Sequence, residues 1–356
     1  MVSAMTIDLT LLARICEAPG APGSEQAIRK LVLAELKGLC DDIRTDNIGN
    51  VVAIKKGRSA EKTSMAAAHM DEIGFIVTHI DDNGFIRFHP VGGFDPKTLT
   101  AQRVLVHGKK TILGVMGSKP IHIMSQEERT KLPKISDFFV DVGMTKKNVE
   151  KIVKVGDFIT RRSELLEMGD CVNAKSLDNR ASVFVLLETL RSMKKSRKKP
   201  AYDFHAAFTV QEEVGLRGAN VAALDVQPDF AFGLDTTIAY DVPGSSPQER
   251  CTSLGEGAAI KLMDSSVICD YRMIEFMKAT AGRHKIKWQP EVLTAGGTDT
   301  AGLQRMVPGG SIAGAVSIPT RHIHQSIETT HQGDIQASID LLTACVCELD
   351  QGKWKL

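Results

Sequence analysis

The stretch YDFHAAFTVQEEVGLRGANVAAL, residues 202–224, decides the fold class. Residues 202–210 are mostly apolar and rich in β-favouring types, which predicts a buried strand. LRGANVAAL, residues 216–224, predicts a short helix. The junction carries two adjacent carboxylates, Glu212 and Glu213. A strand that leads through polar residues into a helix is typical of α/β folds, which bind ligands at the carboxyl ends of their strands.

The same alternation continues on both sides of this stretch. LDNRASVFVLLETLRSM, residues 177–193, predicts a helix, and residues 265–282 predict another. Strands are predicted at residues 229–235, 257–263, 285–292 and 310–318. The pattern therefore predicts an α/β fold with helices on both faces of the sheet.

A middle region has a different character. It contains two strand pairs around the turns DDNG and HGKK, a further strand VGDFITR, and one short helical stretch, TKKNVEKIV. A chain of 356 residues is long enough for two domains. We therefore expect a small inserted β domain at residues 75–164, within a catalytic domain formed by residues 1–74 and 165–356.

Composition excludes several classes of partner. The formal net charge is +1, so no strong field attracts nucleic acid or a membrane surface. The basic run at residues 191–200 is interpreted as a solvated helix end. The first twenty residues lack the features of a signal peptide, and no stretch is apolar enough to span a membrane. Seven cysteines without a CxxC pair favour reduced thiols, and hence a cytoplasmic protein.

Polar residues close several predicted strands or begin a helix. They are His69, Asp71, Glu72, Asp178, Glu212, Glu213, Asp235, His322, His324 and Glu328. So many carboxylates at one sheet edge require a counter-charge. Imidazole and carboxylate ligands without a thiolate suit zinc, cobalt or manganese.

Within this set some roles stay open at the level of local pattern. Asp71 lies two residues after His69 and could fix the tautomer of that histidine. His322 and His324 would share one face of a strand, so spacing does not choose between them. One carboxylate of the glutamate pair could bind metal while the other handles protons, although a glutamate pair beside a helix cap is also common on protein surfaces. The remaining histidines are interpreted as hydrogen-bonded core or rim residues.

Six motifs together resemble metallopeptidase family 42, the glutamyl and deblocking aminopeptidases that form tetrahedral assemblies. The motifs are AAHMDEIGF, SLDNR, VQEEVGLRGA, GLDTT, GGTDTAG and RHIHQSIE. The resemblance covers essentially the whole chain. It implies a three-layer α/β/α catalytic domain with a mixed central sheet, similar to zinc peptidases, and an inserted small β-barrel-like domain for dimerisation and assembly.

The resemblance also implies the chemistry of the site. Two divalent metal ions, zinc, cobalt or manganese, would bind to His69 and Asp235 and to Glu213 and His324, with Asp178 bridging them. Glu212 would be the general base and acid, and Asp71 would orient His69. The chain departs from the usual family pattern at His322, Gln325 and Ser326.

The activity implied by the resemblance is two-metal aminopeptidase hydrolysis of peptides, by a homo-oligomer that could be a dodecamer. Two alternatives use the same fold. A related two-metal deacylase or carboxypeptidase would cleave another amide, and a non-catalytic assembly protein would have lost a ligand or the base. A glycosidase fits less well, because its two carboxyl groups flank the scissile bond about 5–9.5 Å apart.

Overall fold

The computed structural model describes residues 7–356. The first six residues lie outside the described part of the chain. They belong to the predicted segment 1–74 and to the N-terminal stretch that was predicted not to be a signal peptide. Helices α1 to α9 span Leu9–Glu17, Gln26–Glu35, Gln126–Thr130, Lys146–Val149, Leu177–Ser196, Arg217–Val226, Tyr271–His284, Thr300–Arg305 and Gln332–Glu348. Strands β1 to β9 span Asp42–Thr45, Val51–Lys55, Ser59–His69, Gly74–Ile80, Ile86–Val91, Arg103–His107, Thr111–Gly117, Phe139–Asp141 and Phe158–Arg161. Strands β10 to β17 span Leu166–Met168, Cys171–Ala174, Tyr202–Thr209, Phe230–Ile238, Ala258–Met263, Trp288–Val292, Ile312–Arg321 and Glu328–His331.

The central sheet is mixed, as predicted. Its strand order is β1-β2-β12-β3-β13-β16-β17-β11-β10, and β14 and β15 extend from β16. The neighbours β12, β3, β13 and β16 run parallel. The flanking pairs are antiparallel, apart from β14 with β15. Four parallel strands in the middle bring their carboxyl ends to one edge of the sheet.

Helices cover both faces of this sheet. In β3, Ala66 and Ala68 pack into the larger core, which includes α5 and α9. Met65 and Ala67 point to the opposite face and pack against residues of α6 and α8. This alternation is the period of two expected for a strand that is buried on both sides. The predicted three-layer α/β/α arrangement is therefore confirmed.

A closed barrel of six strands, in the order β4-β5-β8-β7-β6-β9, forms the second body. It has its own apolar core, in which Phe75 stacks on Phe94 with ring centroids 4.2 Å apart. The barrel strands lie between Gly74 and Arg161 in the chain. The inserted small β-barrel is thus present, whereas the division at residues 75–164 stays a prediction.

Several predicted elements begin later than expected. The helix predicted at 265–282 begins at Tyr271, because the Asp264 carboxylate accepts the N–H groups of Ser266 and Val267 and holds that segment in a turn. Asp270 then caps the helix by accepting the N–H of Arg272. The strand predicted at 285–292 begins at Trp288. Within residues 7–356, no helix is long and apolar enough to cross a membrane.

Candidate functional site

The parallel strands place the predicted site residues at one sheet edge. His69 is the last residue of β3 and lies in register with Thr209, the last residue of β12. Asp235 lies in the neighbouring parallel strand β13. Glu212 and Glu213 follow β12 after two residues. Side chains from three strands therefore meet in one cleft.

Asp178 stands between two histidines. Its Oδ1 atom lies 3.4 Å from His69 Nε2, and its Oδ2 atom lies 3.5 Å from His324 Nε2. Asp235 Oδ1 is 3.7 Å from His69 Nε2, and Glu213 Oε2 is 3.3 Å from His324 Nε2. The donor atoms thus surround two histidines, and Asp178 contacts both of them. Asp178 and Glu213 also offer oxygens within 4.8 Å of each other and of a ring nitrogen of His69.

These donor atoms fit divalent metal ions. Donors bound about 2.0–2.2 Å from one tetrahedral ion lie about 3.3–3.6 Å apart, which is close to the observed separations. Glu213 Oε1 is buried and has no hydrogen-bond partner among the described residues. An ion would satisfy that atom and neutralise the surrounding carboxylates.

Glu212 also reaches the group around His69. Its Oε2 atom is 3.6 Å from His69 Nε2, and Glu212 and Asp235 offer oxygens within 4.8 Å of each other and of that nitrogen. The geometry alone therefore leaves Asp178 and Glu212 as alternative third donors beside His69 and Asp235.

The backbone turns just before the glutamate pair. Gln211 has a positive φ of 56°, which redirects the chain after β12. The N–H groups of Glu212 and Glu213 then donate to the two oxygens of the Asp71 carboxylate, at 3.0 and 3.1 Å. His69 Nδ1 contacts the backbone carbonyl oxygen of Asp71 at 3.1 Å, whereas the Asp71 carboxylate is 3.5 Å away. Asp71 thus contacts both the imidazole of His69 and the backbone of the glutamate pair.

The two candidate histidines after β16 lie in a turn rather than on a strand. β16 ends at Arg321, and His322 and His324 have φ values of 60° and 65°. His322 is exposed, and His324 points into the donor group. Glu328 accepts the His324 N–H through Oε1 and the Asp178 N–H through Oε2, both at 2.9 Å. One buried carboxylate therefore holds the backbone of two predicted ligands.

Burial and like charge shift the pKa values of the site. Burial raises the pKa of Glu212 well above its usual range, and the nearby carboxylates of Asp235 and Glu213 add to the effect. Burial alone would lower the pKa of His324, but Glu213 and Asp178 outweigh it and raise this pKa to about 11. Neighbouring negative charge contributes to both shifts, and a cation would relieve that part of each.

The sequence matches the profile of one known protein family. The profile described as M42 glutamyl aminopeptidase matches residues 49–341. The chain belongs to the M42 glutamyl aminopeptidase family. It is therefore an enzyme, a hydrolase of the aminopeptidase class, and membership in this metallopeptidase family implies that it uses divalent metal ions.

Relatives of this M42 peptidase match it over nearly their full lengths. The lysyl aminopeptidase of Pyrococcus furiosus is 31% identical, over 96% of this chain and 98% of the relative. An aminopeptidase structure from the archaeon Desulfurococcus kamchatkensis is 36% identical with a TM-score of 0.91, covering 95% of this chain and 94% of that one. The TET1 peptidase of Pyrococcus horikoshii, described as able to assemble into a tetrahedron or a large octahedral shell, is 30% identical with a TM-score of 0.85, covering 95% and 98%.

One residue near the site of this M42 peptidase was missed by sequence reasoning. Arg161, the last residue of β9 in the barrel, donates to the backbone oxygen of His324 at 3.0 Å and to that of Lys175 at 2.8 Å. Its side chain is buried and lies over the ring of Phe94. An arginine that ends a predicted barrel strand gives no local signal that its partner lies 163 residues further along the chain.

Proposed function

We propose that this M42 peptidase is a two-metal aminopeptidase that removes N-terminal residues from peptides. His69 and Asp235 would hold one ion, Glu213 and His324 the other, and Asp178 would be shared between them. The position of Asp178 carries this proposal, since its two oxygens face two different histidines at 3.4 and 3.5 Å. A carboxylate in that position suits a pair of ions better than a single one.

The ions would be zinc, cobalt or manganese, because the donors are imidazole and carboxylate groups only. When bound, such ions supply an acidified water and polarise the peptide carbonyl. Measurement of metal content by mass spectrometry, on protein purified without chelator, is expected to give two ions per chain. A content of one ion or less in protein reloaded with each metal would contradict the two-metal proposal.

Glu212 would act as general base and general acid. It would accept a proton from the attacking water and donate it to the departing amine. Burial shifts the pKa of Glu212 upward, which is the direction that favours return of the proton. Asp71 would position both His69 and the backbone of Glu212 through the contacts described above.

The substitution Glu212→Gln tests this assignment. Turnover of an aminoacyl-anilide is expected to fall at least about 10²- to 10⁴-fold, the range of general acid–base contributions. Metal content should stay at two ions per chain, which separates a lost base from a lost ligand. Glu61→Gln, at an exposed position of β3, is the matched control and should leave turnover unchanged. Near-normal turnover in Glu212→Gln would remove Glu212 from this role.

The barrel would serve dimerisation and assembly, with residues 75–164 as its domain and residues 1–74 and 165–356 as the catalytic domain. The barrel region exposes large apolar side chains that water does not favour, including Ile121, Ile123 and Leu132. The assemblies described for the relative from Pyrococcus horikoshii, and the dodecamer described for a second solved TET1 structure, support a homo-oligomer that would be a dodecamer. Sedimentation velocity is expected to show a species of many subunits, which Ile123→Glu dissociates. A monomer at all concentrations would contradict the proposal.

Peptides would be the substrates, and neither nucleic acid nor a membrane would be a partner. The compartment would be the cytoplasm. All seven cysteines are free in the structure, which suits a reducing compartment. Cell fractionation with an antibody against the chain tests this, and recovery in a secreted fraction would contradict it.

A further inference from the structure

The cleft beside the metal donors has an apolar wall. Its volume is about 580 Å³, enough for a peptide end. Apart from the donors, the lining includes the side chains of Leu216, Ile238, Leu293 and Ile323, together with the small residues of the segment 295–297. We propose that this cleft selects peptides whose N-terminal residue is uncharged and apolar, a proposal that rests on the aminopeptidase function above.

The charges of the cleft support this choice. Among the described residues that line it, the titratable ones are the six side chains of the donor group: His69, Asp178, Glu212, Glu213, Asp235 and His324. Within residues 7–356, no arginine or lysine lines the cleft, so none could pair with a glutamate side chain of the substrate. Apart from the donor group, no acidic residue in this range lines it, so none could pair with a lysine side chain. A charged side chain placed against this wall would lose water without gaining a partner.

One buried basic group, Lys261, is already paired. Lys261 Nζ lies 3.0 Å from Asp264 Oδ2 and 2.8 Å from Glu291 Oε1, and all three side chains are fully buried. Lys261 does not line the cleft. A cluster of one ammonium group and two carboxylates carries no net positive charge, so it does not attract an acidic substrate.

The same buried cluster also occupies two of the three threonine hydroxyl groups that belong to the cleft lining. Thr237 Oγ1 donates to Glu291 Oε1 at 2.7 Å, and Thr298 Oγ1 donates to Asp264 Oδ2 at 3.0 Å. Both threonines line the cleft. Because each hydroxyl hydrogen points to a buried carboxylate, it is not available to a polar substrate side chain.

Family membership does not decide this preference. The family is described by glutamyl aminopeptidase activity, and the relative from Pyrococcus furiosus is a lysyl aminopeptidase. Relatives with the same fold are therefore named for substrates of opposite charge. The preference of this chain depends on its own cleft, and the cleft offers apolar contact.

A panel of aminoacyl-anilides, assayed on the metal-loaded protein, tests the inference. kcat/KM for leucyl-anilide is expected to exceed that for glutamyl- and lysyl-anilide at least about 100-fold, because burial of an unpaired charge is unfavourable. It should exceed that for alanyl-anilide about 10-fold, because more apolar surface is buried. Equal or higher activity on either charged substrate would overturn the inference and leave the aminopeptidase function intact. Cleavage of none of them would overturn both.

A substitution in the wall gives a second test. Leu293→Lys places a cation in the cleft and is expected to raise the ratio of glutamyl to leucyl kcat/KM at least about 10-fold. The matched control is Val292→Lys, at the neighbouring residue, which is 49% exposed and does not line the cleft. The control should leave the ratio within about 2-fold of the parent, by the small effect of exposed charges. An unchanged ratio in Leu293→Lys would show that the substrate side chain does not contact this wall.

Binding without turnover provides a third readout. Calorimetric titration of the Glu212→Gln variant with leucinamide, glutamate amide and lysinamide compares affinities when the chemical step is blocked. Leucinamide is expected to bind about 10-fold or more tightly than either charged amide. Tighter binding of a charged amide would overturn the inference whatever the turnover rates.

Discussion

Asp71 accepts the backbone N–H of Glu212 at 3.0 Å through Oδ1, and its other oxygen accepts the N–H of Glu213 at 3.1 Å. A single buried carboxylate therefore fixes the turn from which both glutamates extend. This contact was not expected from the sequence, which indicated only that Asp71 could reach His69. Asp71 is therefore a positioning residue both for the imidazole of His69 and for the glutamate pair.

The substitution Asp71→Asn tests that role. An amide offers one acceptor oxygen, so one of the two N–H groups would face an NH₂ group. We expect kcat/KM to fall about 10²-fold and the free energy of unfolding to fall by about 1–3 kcal/mol. Enzyme kinetics and urea denaturation measure the two effects. Asp229→Asn is the control, since Asp229 also accepts a backbone N–H but is exposed. Wild-type kinetics in Asp71→Asn would contradict the positioning role.

Arg161→Lys tests the link between the barrel and His324. Lysine cannot reproduce the two-pronged contact with the carbonyls of His324 and Lys175. We expect the affinity for the ion assigned to His324 to fall about 10- to 100-fold, as is usual when a residue that supports a ligand is changed. Competition with a metal-binding dye measures this. Arg162→Lys, at the exposed neighbouring position, should change nothing, and equal loss in both variants would contradict the link.

Removal of metal is expected to destabilise the protein more at high pH than at low pH. Burial, followed by neighbouring carboxylates, raises the pKa of Glu212 and of Glu213 in the metal-free fold. A carboxyl group whose folded pKa is raised contributes stability below its unfolded pKa, and this contribution is lost as pH rises through the folded pKa. The difference in unfolding free energy between loaded and chelator-treated protein should therefore widen from pH 5 to pH 8, to about 3–4 kcal/mol. Denaturation curves with and without chelator measure it, and a gap that narrows with rising pH would contradict the charge argument.

Asp270→Asn tests the cap that starts α7. Hydrogen bonds from Arg272 hold the pKa of Asp270 below its ordinary value of 3.8. A depressed carboxyl pKa contributes stability above the unfolded pKa, and that stability is lost as pH falls through the folded pKa. Asp270→Asn should therefore cost about 1 kcal/mol at pH 7 and progressively less below about pH 4. Urea denaturation at several pH values measures this. In an Arg272→Gln background the pH dependence should largely disappear, and its persistence would assign it to another group.

The sequence predicted most of the fold and the set of polar residues that meets in the cleft. His69 and Glu212 follow apolar runs, and parallel strands necessarily bring such ends together. Local pattern could not choose between His322 and His324, because the choice depends on positive φ angles in a turn. Arg161 could not be predicted, since its contact with His324 arises only when the barrel packs against the sheet. The start of α7 was missed because Asp264 holds the segment ahead of it in a turn and Asp270 caps the helix.

The position of Arg161 has a mechanical consequence. β9 is hydrogen-bonded to both β4 and β6 and so helps to close the barrel. Its last residue, Arg161, donates a hydrogen bond to the carbonyl oxygen of His324. A shift of that strand would reach the histidine through this hydrogen bond. Thermodynamic linkage makes this influence mutual. A bound ion that orders His324 should therefore also order β9, the strand that pairs with β4 and β6. Occupancy of the site and rigidity of the barrel should rise and fall together.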